Sequence, residues 1–195
     1  MRSPVRLLAV SLVIILALTG CTNFAHNEEQ RGVLGTQFEV ELERSEALVA
    51  ITADEVHEIS SAEYDSWGLA NWERWYGSDF EGMRLYYADF SVEPQGAESA
   101  EFDAAELSWS SWAVATDEGR DIHAYFAWGQ EIPCGDFTDG QAAAVSGGAT
   151  EEACVFFIVP EDQEVTELHF TGVDTGRTRV GETRSIEAYV TWTVG

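Results

Sequence analysis

The chain has 195 residues, with 35 acidic side chains against ten arginines and no lysine. Its formal net charge of −25 repels phosphate backbones and anionic headgroups, so we expect neither nucleic-acid binding nor direct adsorption to a lipid surface. The length suits one domain with a substantial core.

The first 20 residues have the pattern of a secretory signal peptide. Arg2 and Arg6 precede the apolar residues 7–18, a run shorter than the ~20 residues of a spanning helix. The run ends in Leu18-Thr19-Gly20-Cys21, which resembles the bacterial lipobox. We therefore expect residues 1–20 to be removed and Cys21 to carry acyl chains such as palmitate, since two chains give stable anchoring. The alternative is an ordinary signal peptide with a coincidental cysteine.

After Cys21 the chain carries eight arginines against 35 acids, a formal charge of −27. The acids are spread along the whole chain, so we interpret them as a solvated shell rather than a surface that binds cations or a basic partner. Residues 21–35 are polar and aperiodic, which predicts a short tether between the lipid and the domain. The domain itself is expected over residues 36–195.

Short strands separated by turn signals are predicted along the rest of the chain. Residues 97–106 predict a helical turn or an open loop, and Asp117-Glu118-Gly119 predicts a tight turn between two antiparallel strands. The run 155–159 is apolar at every position, as in a strand covered on both faces. This pattern predicts an all-β, antiparallel sandwich. The predicted strands are residues 37–42, 48–53, 84–92, 107–116, 122–128, 155–159, 165–172 and 185–194.

An aromatic-rich insertion interrupts the strands. Its large rings recur at helical spacing, which predicts one or two helical turns. One interpretation is a lid over the core, the commoner role for such rings. The other is a stacking platform for a sugar or a partner peptide, because Trp and Tyr give large contact areas at low entropic cost. The rings are those of Tyr64, Trp67, Trp72, Trp75 and Tyr76.

The chain has three cysteines. If Cys21 is lipidated, Cys134 and Cys154 remain as an even pair in an exported, oxidising context, which predicts a disulfide. Closing this loop would stabilise the fold by about 3 kcal/mol on the chain-entropy model.

The residues from Cys134-Gly-Asp-Phe to Cys154-Val-Phe-Phe-Ile-Val-Pro, followed by Leu168-His-Phe and placed behind a lipobox, resemble a known family. This family is the actinobacterial secreted lipoproteins with an immunoglobulin-like domain of unknown function. That domain is similar in fold to the small immunogenic secreted antigen of mycobacteria. The resemblance implies an immunoglobulin-like β-sandwich on the outer face of a cell envelope, and it brings no enzymatic site with it.

The sequence lacks the common catalytic and metal-binding motifs. The chain has no GxSxG, HExxH, P-loop or GxGxxG motif, and its four histidines give no ligand pair at helical spacing. We therefore expect no catalytic residues, no metal and no cofactor.

The preferred functional hypothesis is a lipid-anchored, extracytoplasmic interaction module that binds an unknown protein or a cell-wall component. Two alternatives remain open. One is a carbohydrate-binding or carbohydrate-active envelope protein that uses the rings of residues 67–76. The other is a structural envelope protein without a specific ligand.

Overall fold

The computed structural model describes residues 29–68, 82–95, 101–125, 137–172 and 189–195. Within these ranges it contains nine β-strands, two α-helices and two short 3₁₀ segments, Ala104–Leu107 and Trp109–Ser111. The helices are α1 (Ser61–Ser66) and α2 (Asp139–Ser146). The strands are β1 (Gln30–Val33), β2 (Gln37–Glu41), β3 (Leu48–Glu58), β4 (Met83–Pro94), β5 (Trp112–Thr116), β6 (Asp121–His123), β7 (Glu151–Pro160), β8 (Val165–Phe170) and β9 (Val190–Thr193).

The strands form two sheets. The five-stranded sheet has the order β1-β9-β8-β5-β6, and the four-stranded sheet has the order β2-β3-β4-β7. All neighbours are antiparallel except β1, which runs parallel to β9. The order β9-β8-β5-β6 is the G-F-C-C′ order of an immunoglobulin variable-type sheet.

The core lies between the two sheets and is rich in aromatic rings. The Trp112 ring of β5 lies 4.3 Å from the Phe90 ring of β4, which joins the two layers, and 5.1 Å from Phe170 of β8. It also stacks on Trp192 of β9 at 6.1 Å. Inward-facing residues of β2 to β9 pack into this cluster. The predicted all-β sandwich is therefore confirmed.

Strand β7 is covered on both faces, as the apolar run 155–159 predicts. Val155, Phe157 and Val159 face the core, while Phe156 and Ile158 on the opposite face are also buried. The outer face of the four-stranded sheet is thus partly apolar, and other residues of the chain cover part of it.

Residues 107–116 were predicted as one strand, and this prediction is wrong in its first half. Residues 104–107 and 109–111 form 3₁₀ turns, and β5 begins only at Trp112. The Asp103 side chain accepts from the Ala105 N–H at 3.0 Å, and the Ser108 hydroxyl donates to the Ala105 carbonyl at 2.9 Å. Short polar side chains that bond to nearby backbone groups compete with strand pairing, and here they prevail.

No element is predicted between Cys134 and the strand 155–159, but the structure has helix α2 there. Thr138 and Gln141 form a reciprocal capping box at its start, with the Gln141 N–H donating to the Thr138 hydroxyl at 3.2 Å. Thr138-x-x-Gln141 is a visible sequence signature of a helix start, so the signal was present.

The predicted tether also differs from the structure at its end. Gln30–Val33, which lies inside residues 21–35, forms β1 and pairs with β9. The sheet therefore begins several residues before position 36, and residues 21–28 of the predicted tether lie outside the described ranges.

Candidate functional site

The outer face of the four-stranded sheet brings together rings and acids. Helix α1 lies at one end of this face and begins at a capping box in which the Ser60 N–H donates to Glu63 Oε2 at 2.8 Å. The helix ends at Trp67, and Gly68 follows at a φ of +68°. This left-handed backbone conformation favours glycine, and it ends the helix. The short helix therefore fixes the backbone position of Trp67 at its C-terminal end.

Trp67 packs onto the sheet. Its ring centroid lies 5.2 Å from that of Tyr87 on β4 and 5.8 Å from that of Phe156 on β7. We refer to Trp67, Tyr87 and Phe156 as the aromatic cluster. Phe156 is buried, whereas Trp67 and Tyr87 are half-buried and keep part of their surface toward solvent.

Of the five aromatic residues singled out in the sequence, Trp67 is the one whose side chain the structure describes. Tyr64 belongs to α1, as its helical spacing predicts, but its side chain lies outside the description. Trp72, Trp75 and Tyr76 also lie outside the described residues. Trp67 covers Phe156 and remains partly exposed, so both the lid and the platform stay predictions.

His57 joins the aromatic cluster to the acids. Its ring centroid lies 3.7 Å from that of its cross-strand neighbour Tyr87. Its Nδ1 is 3.3 Å from Glu55 Oε1, and its Nε2 is 3.7 Å from Glu63 Oε1. Tyr87 donates a 3.4 Å hydrogen bond to Glu63, and burial raises the pKa of Tyr87 to about 12, with Asp89 and Glu63 adding to the effect.

A groove of about 500 Å³ adjoins the cluster. Its carboxylates are Asp54, Asp89 and Glu152, and we call it the acidic groove. Asp54 occurs where the β3–β4 register shifts, between Ala53 and Glu55. A bulge of this kind re-aims a side chain. Here it lets Asp54 bond to Ser91 and approach Glu152, which is paired with Ser91.

Asp89 is half-buried and partly desolvated, and the other two groove acids add negative charge beside it. Burial raises the pKa of Asp89 above its usual value, His57 opposes this, and Glu55, Asp54 and Glu152 raise the pKa further. Burial also raises the pKa of Asp54, with Glu152 adding to it. The groove thus concentrates hydrogen-bond acceptors, and the negative charge of Asp54 and Asp89 is disfavoured there.

This arrangement can accept hydrogen bonds from hydroxyl or amino groups while an apolar part of the same ligand lies on Trp67 and Tyr87. In the part of the chain that the structure describes, no three His, Cys, Asp or Glu side chains are arranged to hold a metal ion. The groove carboxylates could hold a ligand through hydrogen bonds and charge.

One cysteine lines this site. Cys154 lines the acidic groove from β7, opposite Asp89. Cys134 and Cys21 lie outside the described ranges. The pairing of Cys134 with Cys154 and the lipidation of Cys21 therefore stay predictions.

Sequence reasoning found Trp67 but missed His57, Tyr87 and the three groove acids. With 35 acids in the chain, no local signal separates Asp54, Asp89 and Glu152 from the rest. The alternation of β3, β4 and β7 could have placed residues on the outer face. Bringing them together requires the register, which pairs Asp89 with both Glu55 and Cys154.

Neither helix in the described ranges is long and apolar enough to cross a bilayer. No family model and no curated protein matches this chain. Among solved structures, the secreted protein MPT63 of Mycobacterium tuberculosis is similar at 12% identity and a TM-score of 0.49, over 86% of this chain and 98% of that one. A likeness at this score adds no argument, so the fold rests on the strand pairing itself.

Proposed function

We propose that the protein is a non-enzymatic, extracytoplasmic lipoprotein that is anchored through Cys21 and binds a protein or cell-wall component with its immunoglobulin-like sandwich. The binding face is the outer face of the four-stranded sheet. The observation that carries this proposal is the acidic groove beside the half-exposed rings of Trp67 and Tyr87.

The anchor is supported by the sequence. A charged start, a short apolar run and Cys21 occur in the order that a lipobox requires. A domain of such high negative charge gains nothing from anionic headgroups, so it needs a lipid to stay at the membrane.

The binding face is supported by its composition. Partly exposed aromatic rings give large contact areas on binding, and neighbouring polar groups fix the orientation of what binds. On this face the rings and the acids are adjacent, because Tyr87 and Asp89 lie two residues apart on the same side of β4.

A carbohydrate ligand is the second candidate, favoured by the same adjacency. Sugar rings stack on Trp and Tyr, and their hydroxyls donate to carboxylates. A carbohydrate-active enzyme would in addition need two carboxylates held at a set separation across the bound sugar. Capture of glycan fragments without their hydrolysis would favour binding alone.

The test is capture from an envelope extract by the chain immobilised without its lipid, as the Cys21→Ser variant. We expect the double variant Asp89→Asn, Glu152→Gln to recover at least tenfold less partner, because two of the three groove acids lose their charge. The matched control is Asp162→Asn, Glu161→Gln, which makes the same charge change at two exposed residues beyond the far end of β7.

The control variant should recover as much partner as the parent chain. Equal recovery by all three proteins would contradict the proposed face. Recovery of nothing specific by the parent chain would instead favour a structural envelope protein without a ligand.

A further inference from the structure

We propose that β1 is a releasable strap, which leaves β9 as a unit while the sandwich stays folded and so lengthens the link between the lipid anchor and the domain. The release is a property of the fold. Its effect on reach rests on the proposed anchor at Cys21.

The backbone attachment of β1 is small. The strand has four residues, lies at the edge of its sheet, and within the described ranges pairs with β9 alone. None of its four residues is buried, and Val33 is 64% exposed. A segment with so little buried apolar surface has a low free energy of local opening compared with the core strands.

Two side chains of β1 make polar contacts. Gln30 Nε2 donates to the Glu39 carbonyl of β2 at 2.8 Å, and Arg31 forms ion pairs. Arg31 Nη2 lies 2.6 Å from Glu29 Oε1, and Arg31 Nη1 lies 3.0 Å from Glu167 Oε1 on β8. The Thr191 hydroxyl donates to Glu29 at 3.1 Å. We call the Glu29–Arg31–Glu167 contact the clip. The Arg31 side chain is 58% exposed, so salt screens the clip and its contribution is small.

The charged groups around the clip make it weaker in acid. His169 Nε2 lies 3.0 Å from Glu167 Oε2 on the same strand, and Asp121 of β6 lies 3.7 Å beyond His169. The His169 hydrogen bond lowers the pKa of Glu167, with Arg31 contributing. A lowered pKa means that the clip is intact above the ordinary glutamate pKa of about 4.3 and is lost as the pH falls through the lowered value.

The strap has a defined end at Gly35. The Gly35 N–H donates to the Ala53 carbonyl at 2.7 Å, and the Trp192 indole N–H donates to the Thr36 carbonyl at 2.8 Å. Both bonds involve residues that follow β1 in the chain, so they remain when β1 leaves β9. Gly35 has a φ of +83°, which lets the chain turn sharply from one sheet toward the other.

Release up to Val33 would free the four residues 30–33, since Leu34 packs against the core. At ~3.3 Å per residue they add up to about 13 Å of reach between the anchor and the sandwich. The docked state is nonetheless well fitted, because a Cβ placed at Gly32 would lie 2.7 Å from the Phe38 ring. The strap therefore docks in one specific position but is held there weakly.

The test is hydrogen exchange of the whole chain, with the amides of β1 compared with those of Ile51 and Phe157 in the core. We expect the β1 amides, including the Gln30 N–H that donates to the Tyr189 carbonyl, to exchange at least tenfold faster. Arg31→Gln should raise the β1 rate by about a further threefold, the size of an exposed ion pair, and leave the core unchanged.

Arg120→Gln is the matched control, since Arg120 forms an exposed ion pair with Glu118 away from β1. It should leave the β1 rate unchanged. Exchange of β1 at the core rate would overturn the proposal, because β1 would then open only when the whole domain unfolds. Equal acceleration by the two variants would overturn the role of the clip. Neither result depends on whether the binding face is correct.

Discussion

At the scale of single residues, Asp89 is held in the folded protein at a cost. It lies half-buried on β4, and its pKa is raised by burial and by three neighbouring acids despite the opposing charge of His57. A raised pKa means that Asp89 favours the folded state below the ordinary aspartate pKa of about 3.9, and that this contribution is lost as the pH rises through the raised value.

Asp89→Asn is therefore expected to stabilise the protein at pH 7. The variant should have a higher urea midpoint than the parent chain at pH 7, and the difference should shrink as the pH is lowered to about 4. Asp162→Asn, at an exposed turn residue, should leave both midpoints unchanged. A lower midpoint for Asp89→Asn at pH 7 would mean that the ionised carboxylate makes a favourable contact. Greater stability combined with lost capture would be the trade-off typical of a functional site.

At the scale of elements, the local sequence pattern predicts some strands correctly and others wrongly. Strands β3, β4 and β7 were predicted because their apolar residues alternate or run continuously, and the structure confirms them as long strands. Residues 107–111 also alternate, but side-chain bonds from Asp103 and Ser108 bend them into 3₁₀ turns. Alternation alone cannot distinguish these two outcomes, because it does not report which backbone groups find local partners.

Helix α2 offers a direct test of its capping box. Thr138→Ala removes the hydroxyl that accepts from the Gln141 N–H, so it should lower the free energy of unfolding by about 1 kcal/mol. Thr138→Ser keeps the hydroxyl and should retain most of that stability. The measurement is urea denaturation of the three proteins, and an equal loss for Ser and Ala would show that the methyl group, rather than the cap, matters.

At the scale of the whole molecule, the sequence predicts the architecture well and the candidate site only in part. The two-layer sandwich follows from strand periodicity, which is a local property. The acidic groove depends on how three strands are aligned, since Asp89 meets Glu55 on one side and Cys154 on the other, and on the bulge that turns Asp54 outward. Register is a non-local property, so no window of sequence reports it.

The parallel strand β1 was missed for a related reason. Its sequence, Gln30-Arg-Gly-Val33, is short and mostly polar and resembles a tether. It forms a strand because the edge of β9 is free to pair with it. In addition, Glu167 pairs with Arg31, and the Thr191 hydroxyl donates to Glu29. Tertiary context overrides local propensity at such positions.

The central claim is that the outer face of the four-stranded sheet is occupied when the protein is in its envelope. Carboxyl footprinting with a carbodiimide and glycine ethyl ester, read by mass spectrometry, tests it most directly when the chain in isolated envelopes is compared with the purified chain. We predict that Asp54, Asp89 and Glu152 become at least severalfold less reactive in the envelope, while Glu161 and Asp162 react equally in both. Unchanged labelling of the groove acids, or protection confined to the five-stranded sheet, would contradict the claim.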